Sequence, residues 1–259
     1  MKLGFIGFGV VGSAVYEAFK ADNDCRIYDP NKGYINFKRI KDTEIVFVSV
    51  PVPTLIDGSI DLNILEQILT KLNKARYEGV VVIKSTVLPG TCNALKHLYK
   101  LRIVHNPEFL TERNAKQDFA KQKCVLLSGD SNDVKVVVEL YRDFNNLATI
   151  LSYPQYRVTE TAKYVHNCFL AVKVSFFNEI YEFCQASDIE YRDVLMAALS
   201  QHMIGINHTQ VPGPDGLKGY GGTCFPKDTH AWANHSVRQG VLPSTVIAAC
   251  AGNKKRRGL

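Results

Sequence analysis

A cysteine near the end of the chain has the surroundings of a nucleophile. Cys224 stands in the segment GYGGTCFPKD, two residues ahead of Pro226. Because proline is favoured at the start of helices, we expect a helix here with the sulfur near its N-terminus. That position stabilises a thiolate, and Lys227 adds positive charge. A small buried hydrophobic cysteine, with Asp228 only complementing the helix dipole, fits the segment equally well, so both interpretations stay open.

Two pairs of polar residues, each four positions apart, could add chemistry. Lys163 and Asn167 lie in a stretch with helical periodicity and share one face, where an ammonium and an amide can stabilise an oxyanion. Glu108 and Glu112, in NPEFLTE, have the same spacing and can supply a general base. The same spacing is typical of a solvated helix face, so neither pair alone indicates catalysis.

Three glycines near the N-terminus indicate a dinucleotide site. Gly7, Gly9 and Gly12 lie between a hydrophobic run and an amphipathic stretch. They allow a tight turn, an approach of backbone to pyrophosphate, and close helix packing. The segment CRIYD ends at Asp29, 17 residues after Gly12, where a carboxylate binds ribose hydroxyls and repels a 2′-phosphate. We therefore predict NAD rather than NADP; the alternative is that Asp29 is only a turn residue before Pro30.

The elements that must position these residues alternate along the first part of the chain. Short apolar runs predict strands at 3–8, 24–28, 44–50, 80–84, 103–105 and 124–128, with amphipathic stretches between them. This alternation predicts an α/β fold, a Rossmann-type, doubly wound and mainly parallel sheet. From about Tyr156 the periodicity becomes helical, with a long helix over 159–185 and a last helix from Asp228. We predict an NAD-binding domain at 1–153 and an all-α central domain at 154–259.

Composition argues against several other classes. The 259 residues suffice for two modest domains, and no apolar run approaches the roughly 20 residues that cross a bilayer. Seven cysteines without CxxC or CxxH spacing predict no metal site and no disulfides, so we expect a soluble cytoplasmic protein. The net charge of +6 includes the basic run 254–257. We interpret that run as a solvated chain end rather than a nucleic-acid site, because no RNA-binding pattern accompanies it.

Seven ordered blocks make the chain resemble the UDP-glucose 6-dehydrogenase family, which includes UDP-N-acetylmannosamine and GDP-mannose dehydrogenases. They are GFIGFGVVG near the start, VSVPVPT at 48–54, DGSIDL at 57–62, KSTVLPGT at 84–91, NPEFLTERNAKQDF at 106–119, ETAKYVHNCFLAVKVSFFNE at 160–179 and GYGGTCFPKD at 219–228. The resemblance implies an NAD-dependent, four-electron oxidation of a nucleotide sugar's primary alcohol to a carboxylate. It also implies a homodimer formed through the long helix.

The resemblance further implies a role for each matching residue. Cys224 traps an aldehyde as a thiohemiacetal that becomes a thioester, and Lys163 with Asn167 stabilises the negatively charged oxygen. Asp228 positions water and the lysine, while Thr86 and Glu112 serve water-mediated proton transfer. The implied substrate contacts are Glu108, Phe109, Leu110, Lys163, Asn167 and Gly221. The implied cofactor contacts are Gly7, Gly9, Val10, Val11, Gly12, Asp29, Lys32, Val50, Pro51, Ser85, Thr86 and Lys227, with the nicotinamide expected beside Cys224 and Lys163.

Two departures from the family pattern bear on the substrate. Family members continue into a third, C-terminal nucleotide-binding domain, so either this sequence is a piece of a longer protein or it is a short form without that domain; we favour the short form. Met203 stands where UDP-glucose dehydrogenases commonly have an arginine before Ile-Gly, and Lys218 is a candidate replacement for its charge. Two other functions stay open: a single-step hydroxyacid dehydrogenase of the 6-phosphogluconate and β-hydroxyacid type, and a non-catalytic NAD-binding homologue.

Overall fold

The chain divides into two compact units. The computed structural model describes residues 1–55 and 57–258. The first unit comprises Met1–Pro53 and Ile60–Lys163, and the second comprises Thr54–Ser59 and Tyr164–Leu259. The division after Lys163 falls inside a helix, and the domain boundary expected at 153/154 stays a prediction.

The first unit is built on a seven-stranded sheet. Its strands are β1 (Lys2–Ile6), β2 (Asp24–Tyr28), β3 (Ile45–Val48), β4 (Val80–Ile83), β5 (Arg102–His105), β6 (Cys124–Gly129) and β7 (Thr149–Tyr153). Its helices are α1 (Val10–Phe19), α2 (Asn63–Lys74), α3 (Thr91–Tyr99), α4 (Ala115–Ala120) and α5 (Ser131–Phe144). The strand order is β2-β1-β3-β4-β5-β6-β7; among these described strands, β5 and β6 pair antiparallel and the other neighbours pair parallel. The six predicted strands are confirmed; β7 was not predicted, because this mostly exposed strand has no clear apolar run.

Helices cover both faces of this sheet, as its strands require. In β3, Val46 and Val48 belong to one hydrophobic core, whereas Ile45 and Phe47 belong to the other. Alternate side chains of a strand point to opposite faces, so a strand that is apolar throughout needs cover on both sides. The predicted Rossmann-type fold is therefore confirmed.

One edge of the sheet gathers the polar residues that follow its strands. The parallel neighbours β1, β3, β4 and β5 are followed by Gly7, Ser49, Lys84 and Asn106. Because these strands run in the same direction, the four residues lie along the same edge. Doubly wound sheets bind their ligands at this carboxyl edge.

The second unit is helical. Helix α6 (Tyr156–Ala186) begins in the first unit and ends in the second, and it is followed by α7 (Tyr191–Leu199), α8 (Cys224–Arg238) and α9 (Ser244–Arg257). Within the second unit, Tyr164 of α6 stacks on Trp232 of α8 with ring centroids 5.7 Å apart. The predicted long helix is confirmed, and the last predicted helix begins at Cys224, earlier than expected. No helix in the described ranges combines the length and apolarity needed to cross a membrane.

The expectation of a solvated basic chain end holds for Lys254 and Lys255, which are exposed, but not for the two arginines that follow. Residues 254–257 form the last turn of α9, and the side chains of Arg256 and Arg257 are each only 10% exposed. Arg256 donates to Glu182 at 2.9 Å, and Arg257 donates to Asp215 at 2.6 Å. Both carboxylates lie far away in the sequence, so a local charge pattern carries no sign of them.

Candidate active site

The glycine turn after β1 has the shape that a dinucleotide requires. Gly7 adopts a φ of +84°, and a Cβ there would lie 2.4 Å from the carbonyl oxygen of Ser49. A Cβ on Gly12 would lie 1.9 Å from the Gly7 carbonyl oxygen, so α1 packs against the turn only with glycine there. A Cβ on Gly9, in contrast, would meet no described atom within 4 Å. The turn is thus closed on its protein side and open beside Gly9.

The N-terminus of α1 suits an anionic ligand. Gly9 caps the helix without a side-chain hydrogen bond, and the first turn, which includes the half-exposed Val10 and its neighbour Val11, holds no acidic residue. The first backbone N–H groups of a helix lack intrahelical partners, and the helix dipole adds partial positive charge. These features fit the pyrophosphate of NAD.

Asp29 and Lys32 are tied to the same turn. The Asp29 carboxylate accepts hydrogen bonds from the backbone N–H of Phe8 at 2.7 Å and of Asn31 at 3.2 Å. The Lys32 ammonium donates to the carbonyl of Phe8 at 2.6 Å. Asp29 therefore caps a local turn, as the simpler interpretation held, and also lies against the glycine turn, as a ribose-binding residue would.

The other expected cofactor residues of the first unit follow β3 and β4. Ser85 donates its hydroxyl to the carbonyl of Val50 at 2.7 Å, which ties the two strand ends together. Thr86 is half-buried and Pro51 is exposed. Among the described residues, nothing hydrogen-bonds the buried hydroxyl of Ser49 beside Gly7. This edge therefore offers polar groups next to the glycine turn.

Lys163 and Glu108 form a buried ion pair. The Lys163 ammonium lies 3.0 Å from Glu108 Oε1 and also donates to the Glu108 carbonyl at 2.5 Å. The other carboxylate oxygen accepts from the backbone N–H of Leu110 at 2.7 Å. The ammonium also lies 5.3 Å from the ring centre of Phe109. The expected substrate segment 108–110 thus lies against Lys163. The two hydrogen bonds to Glu108 use two of the three hydrogens of the Lys163 ammonium.

Opposing effects act on the Glu108 carboxyl. Burial raises its pKa, but Lys163, the Leu110 N–H group and Lys84 together hold the pKa below its usual value. A carboxylate in this position stays ionised at neutral pH and can accept a proton or orient water.

Sequence reasoning missed Lys84. This lysine is 3% exposed and donates to both the carbonyl and the side-chain oxygen of Asn106, at 3.2 Å and 2.8 Å. Burial lowers its pKa to about 7. The available signal was a charged residue directly after the buried strand VVVI, at the edge where ligands bind.

Cys224 is the first residue of α8 and is exposed. Thr223 caps the helix without a side-chain hydrogen bond, and its hydroxyl lies 3.8 Å from the cysteine sulfur. Pro226 occupies the third helical position rather than the first. An accessible sulfur at the N-terminus of a 15-residue helix meets the geometric requirements of a nucleophile.

An amide and an ammonium hold a buried carboxylate in α8. Asp228 is 1% exposed, and one of its oxygens accepts a hydrogen bond from the Asn167 amide at 2.5 Å. The other oxygen accepts from the neighbouring Lys227 ammonium. Asp228 lies one turn after Cys224, on the same side of α8. Asn167 and Lys227 are therefore both hydrogen-bonded to Asp228, one helical turn after Cys224.

Lys163 and Asn167 lie four apart on α6, as expected, but each has a partner that this spacing does not indicate. Lys163 contacts Glu108 in the first unit, whereas Asn167 contacts Asp228 in the second. Glu112 begins a short 3-10 helix (Glu112–Asn114) and is exposed, so it does not share the buried position of Glu108. Each partner lies more than fifty residues from its counterpart, which helical spacing cannot reveal.

The glycine-rich loop ahead of Cys224 is held by amide side chains, which sequence reasoning also missed. Asn253 of α9 accepts from the Tyr220 N–H at 2.7 Å and donates to the Tyr220 carbonyl at 3.0 Å. Asn178 of α6 accepts from the Gly219 N–H at 2.8 Å. A Cβ on the half-buried Gly221 would lie 2.8 Å from Arg257. The backbone of Gly219 and Tyr220 is therefore held in place, whereas Gly222 and Thr223, directly before the cysteine, are exposed.

Comparison with known protein families identifies the chain. Residues 31–145 match the NAD binding domain of the UDP-glucose/GDP-mannose dehydrogenase family, and residues 157–255 match the central domain of that family. The chain belongs to this family. The resemblance seen in the sequence is confirmed, and so is NAD as the cofactor. The UDP-glucose/GDP-mannose dehydrogenase family consists of oxidoreductases.

Curated members of the family extend beyond this chain. A UDP-glucose 6-dehydrogenase from Pseudomonas aeruginosa is 32% identical over 237 residues, covering 85% of this chain and 50% of that protein. One from Rickettsia bellii is 28% identical over 227 residues, covering 85% and 51%. The chain spans about half the length of the curated relatives that it matches.

Solved structures share the fold. A UDP-glucose dehydrogenase from Pyrobaculum islandicum has a TM-score of 0.86 at 25% identity, covering 98% of this chain and 68% of that one. A 3-hydroxyisobutyrate dehydrogenase from Mycobacterium tuberculosis has a TM-score of 0.79 at 14% identity, covering 96% and 91%. The second likeness shows the fold alone.

Proposed function

We propose that this protein oxidises the primary alcohol of a nucleotide sugar to the carboxylate, with NAD as oxidant and Cys224 as nucleophile. The observation that carries the proposal is the exposed Cys224 at the start of α8, one turn ahead of the Asp228 carboxylate that Asn167 and Lys227 hold. The family's central domain matches the chain over 157–255, which includes all of these residues and Lys163.

The proposed chemistry balances as two oxidations and one hydrolysis. In each oxidation, the substrate carbon loses a hydride to bound NAD and its hydroxyl loses a proton. Between the oxidations, the Cys224 thiolate adds to the aldehyde carbon, and the aldehyde oxygen takes up a proton to give a thiohemiacetal. After the second oxidation, water cleaves the thioester and the thiol is released. One alcohol, two NAD and one water give one carboxylate, two NADH and three protons.

The covalent step keeps the aldehyde in place. A free aldehyde could hydrate or leave between oxidations, whereas a thiohemiacetal fixes the reacting carbon for the second one. Lys163 and Asn167 stabilise the negatively charged oxygen of these intermediates, and each retains a donor hydrogen beyond its bond to Glu108 or Asp228. Asp228 orients water, while Glu108, Thr86 and Glu112 take part in proton transfer. The segment 108–110 and Gly221 contact the substrate.

The structure also supports a homodimer through α6. Its exposed side includes Val165, Phe169, Phe176 and Phe183, which are 52–64% exposed. The three phenylalanines repeat every seven residues, so they form one stripe along the helix. Apolar stripes of this kind commonly pack against a partner, and a second copy of α6 presents the same stripe.

Turnover with a matched pair of cysteine variants tests the proposal. Purified protein with NAD and a panel of UDP-, GDP- and dTDP-sugars should yield two NADH per substrate and a product that has gained one oxygen and lost two hydrogens. Cys224→Ser should not complete turnover, whereas Cys124→Ser, at an exposed cysteine in β6, should behave as wild type.

Two other results would replace the proposal. One NADH per substrate with Cys224→Ser fully active would indicate a single-step hydroxyacid dehydrogenase, because that chemistry needs no cysteine nucleophile. NAD binding without NADH formation on every sugar would indicate a non-catalytic homologue.

A further inference from the structure

Lys84 is a buried lysine for which the proposed chemistry has no role. It follows β4 directly, and its ammonium lies 5.6 Å from the ring centre of Phe119. Both of its hydrogen bonds go to Asn106, one to the carbonyl and one to the side-chain oxygen. Burying an ammonium costs free energy unless nearby polar or charged groups stabilise it.

The Asn106 side chain is the centre of a closed network. Its oxygen accepts from Lys84 at 2.8 Å and from the Tyr141 hydroxyl at 2.6 Å, while its amide donates to the Leu126 carbonyl at 2.8 Å. The backbone N–H of Asn106 donates to Ile83 in β4 at 2.9 Å. The network therefore fixes the chain two residues ahead of Glu108.

The charges around Lys84 come from several elements. The titratable groups that face it are Glu108 in the loop after β5, Lys163 of α6, His105 of β5 and Tyr141 of α5. Burial, with smaller effects of Lys84 and Lys163, lowers the pKa of His105 to about 3, so that ring is neutral. Burial raises the pKa of Tyr141 far above the physiological range, so its hydroxyl is neutral too. Glu108 is thus the single anion in this set, opposite two lysines.

We propose that Lys84 is a positioning residue for the Glu108–Lys163 pair: it holds Asn106 in place and its positive charge keeps Glu108 ionised. The inference rests on the proposed function for the importance of Glu108 in turnover. The contact with Lys163 alone would leave Glu108 opposite one positive charge in a buried environment, and the second charge offsets part of the cost of burial.

Titration of Glu108 in two matched variants tests this inference without any need for activity. The protein is labelled with 13C at glutamate carboxyls, and Glu108→Gln identifies the signal. Lys84→Met removes the ammonium, whereas Tyr141→Phe removes a neutral donor to the same Asn106 oxygen. We expect the Glu108 midpoint to rise by roughly half a pH unit or more in Lys84→Met and to stay unchanged in Tyr141→Phe. Equal movement in both variants, or none in Lys84→Met, would overturn the inference.

A second variant guards against misfolding of Lys84→Met. Lys84→Gln removes the charge but keeps an amide that can donate to Asn106, so it should also raise the Glu108 midpoint; an unchanged midpoint would count against the inference. If a nucleotide sugar is oxidised, the acid limb of the kcat/KM pH profile should shift upward together with the Glu108 midpoint in Lys84→Met. It should not shift in Tyr141→Phe. If wild-type protein oxidises no nucleotide sugar, the proposed function fails, but the titration still decides the role of Lys84.

Discussion

The Lys163 ammonium lies 3.0 Å from the Glu108 carboxylate, with side chains only 4% and 11% exposed. Removing one member of such a pair leaves an uncompensated buried charge. We expect Glu108→Gln to lower the free energy of unfolding by about 3 kcal/mol at neutral pH, measured by urea denaturation. Glu17→Gln, at an exposed pair with Lys20, is the control and should cause no measurable change. An equal effect of both variants would contradict the buried-pair explanation.

The same pair predicts an acid-sensitive stability. The folded-state pKa of Glu108 is below its unfolded value, so its stabilising contribution is complete above the unfolded value and is lost as the pH falls through the folded one. Between about pH 6 and pH 3, wild-type protein should lose more unfolding free energy than Glu108→Gln. Parallel pH curves for the two proteins would be inconsistent with a lowered pKa.

Two glycines of the turn should respond differently to alanine. A Cβ on Gly12 would overlap the Gly7 carbonyl, so Gly12→Ala should cost about 1–3 kcal/mol of stability or more, as overpacking does. A Cβ on Gly9 meets no described atom within 4 Å, so Gly9→Ala should keep its melting temperature but bind NAD more weakly. Thermal melts and calorimetric NAD titrations separate the two effects. Unchanged NAD affinity in Gly9→Ala would place the pyrophosphate elsewhere.

Asp29 should determine the choice between NAD and NADP. Asp29→Asn preserves the acceptor for the Phe8 N–H but removes the charge that repels a 2′-phosphate. We expect the ratio of NAD to NADP affinity to fall roughly tenfold, equivalent to about 1.4 kcal/mol. Asp24→Asn, at the exposed start of β2, the strand that ends just before Asp29, is the control. A preference ratio that does not move would show that Asp29 only caps its turn.

The apolar stripe of α6 should hold two copies of the chain together. Phe169→Glu combined with Phe176→Glu places charges within the stripe and should turn a dimer into a monomer in size-exclusion chromatography with light scattering. Leu147→Glu, at a 90% exposed leucine between α5 and β7, should leave the mass unchanged. A monomeric wild-type protein would refute the proposed dimer.

The two hydrogen bonds between Asn253 and the Tyr220 backbone should stabilise the loop before Cys224. Asn253→Ala leaves the buried N–H and carbonyl of Tyr220 without their partner, at a cost of about 1–3 kcal/mol. The loop should then be cleaved faster in limited proteolysis, with cleavage mapped by mass spectrometry to residues 211–223. Lys254→Ala, at the next and exposed position of α9, should cleave as wild type does. Equal cleavage rates in both variants would show that the Asn253 hydrogen bonds do not stabilise this loop.

Much of the fold follows from local patterns. Apolar runs and helical periodicity predicted six strands and the long helix, because burial of one or both faces imposes a short-range repeat on the sequence. The glycine spacing and Asp29 predicted the dinucleotide site for a similar reason, since the turn and the strand end are local features. Strand β7 was not predicted because it is mostly exposed, and exposure imposes no apolar repeat on its sequence.

Only the tertiary structure decided which polar residues meet. Helical spacing paired Lys163 with Asn167, whereas the folded chain pairs Lys163 with Glu108 and Asn167 with Asp228. The bonds of Lys84 to Asn106, and those of Arg256 and Arg257 to their carboxylates, also could not be found from local patterns. A charged side chain can be buried only where distant segments supply its partners, and which segments those are depends on strand order and helix packing rather than on neighbouring residues.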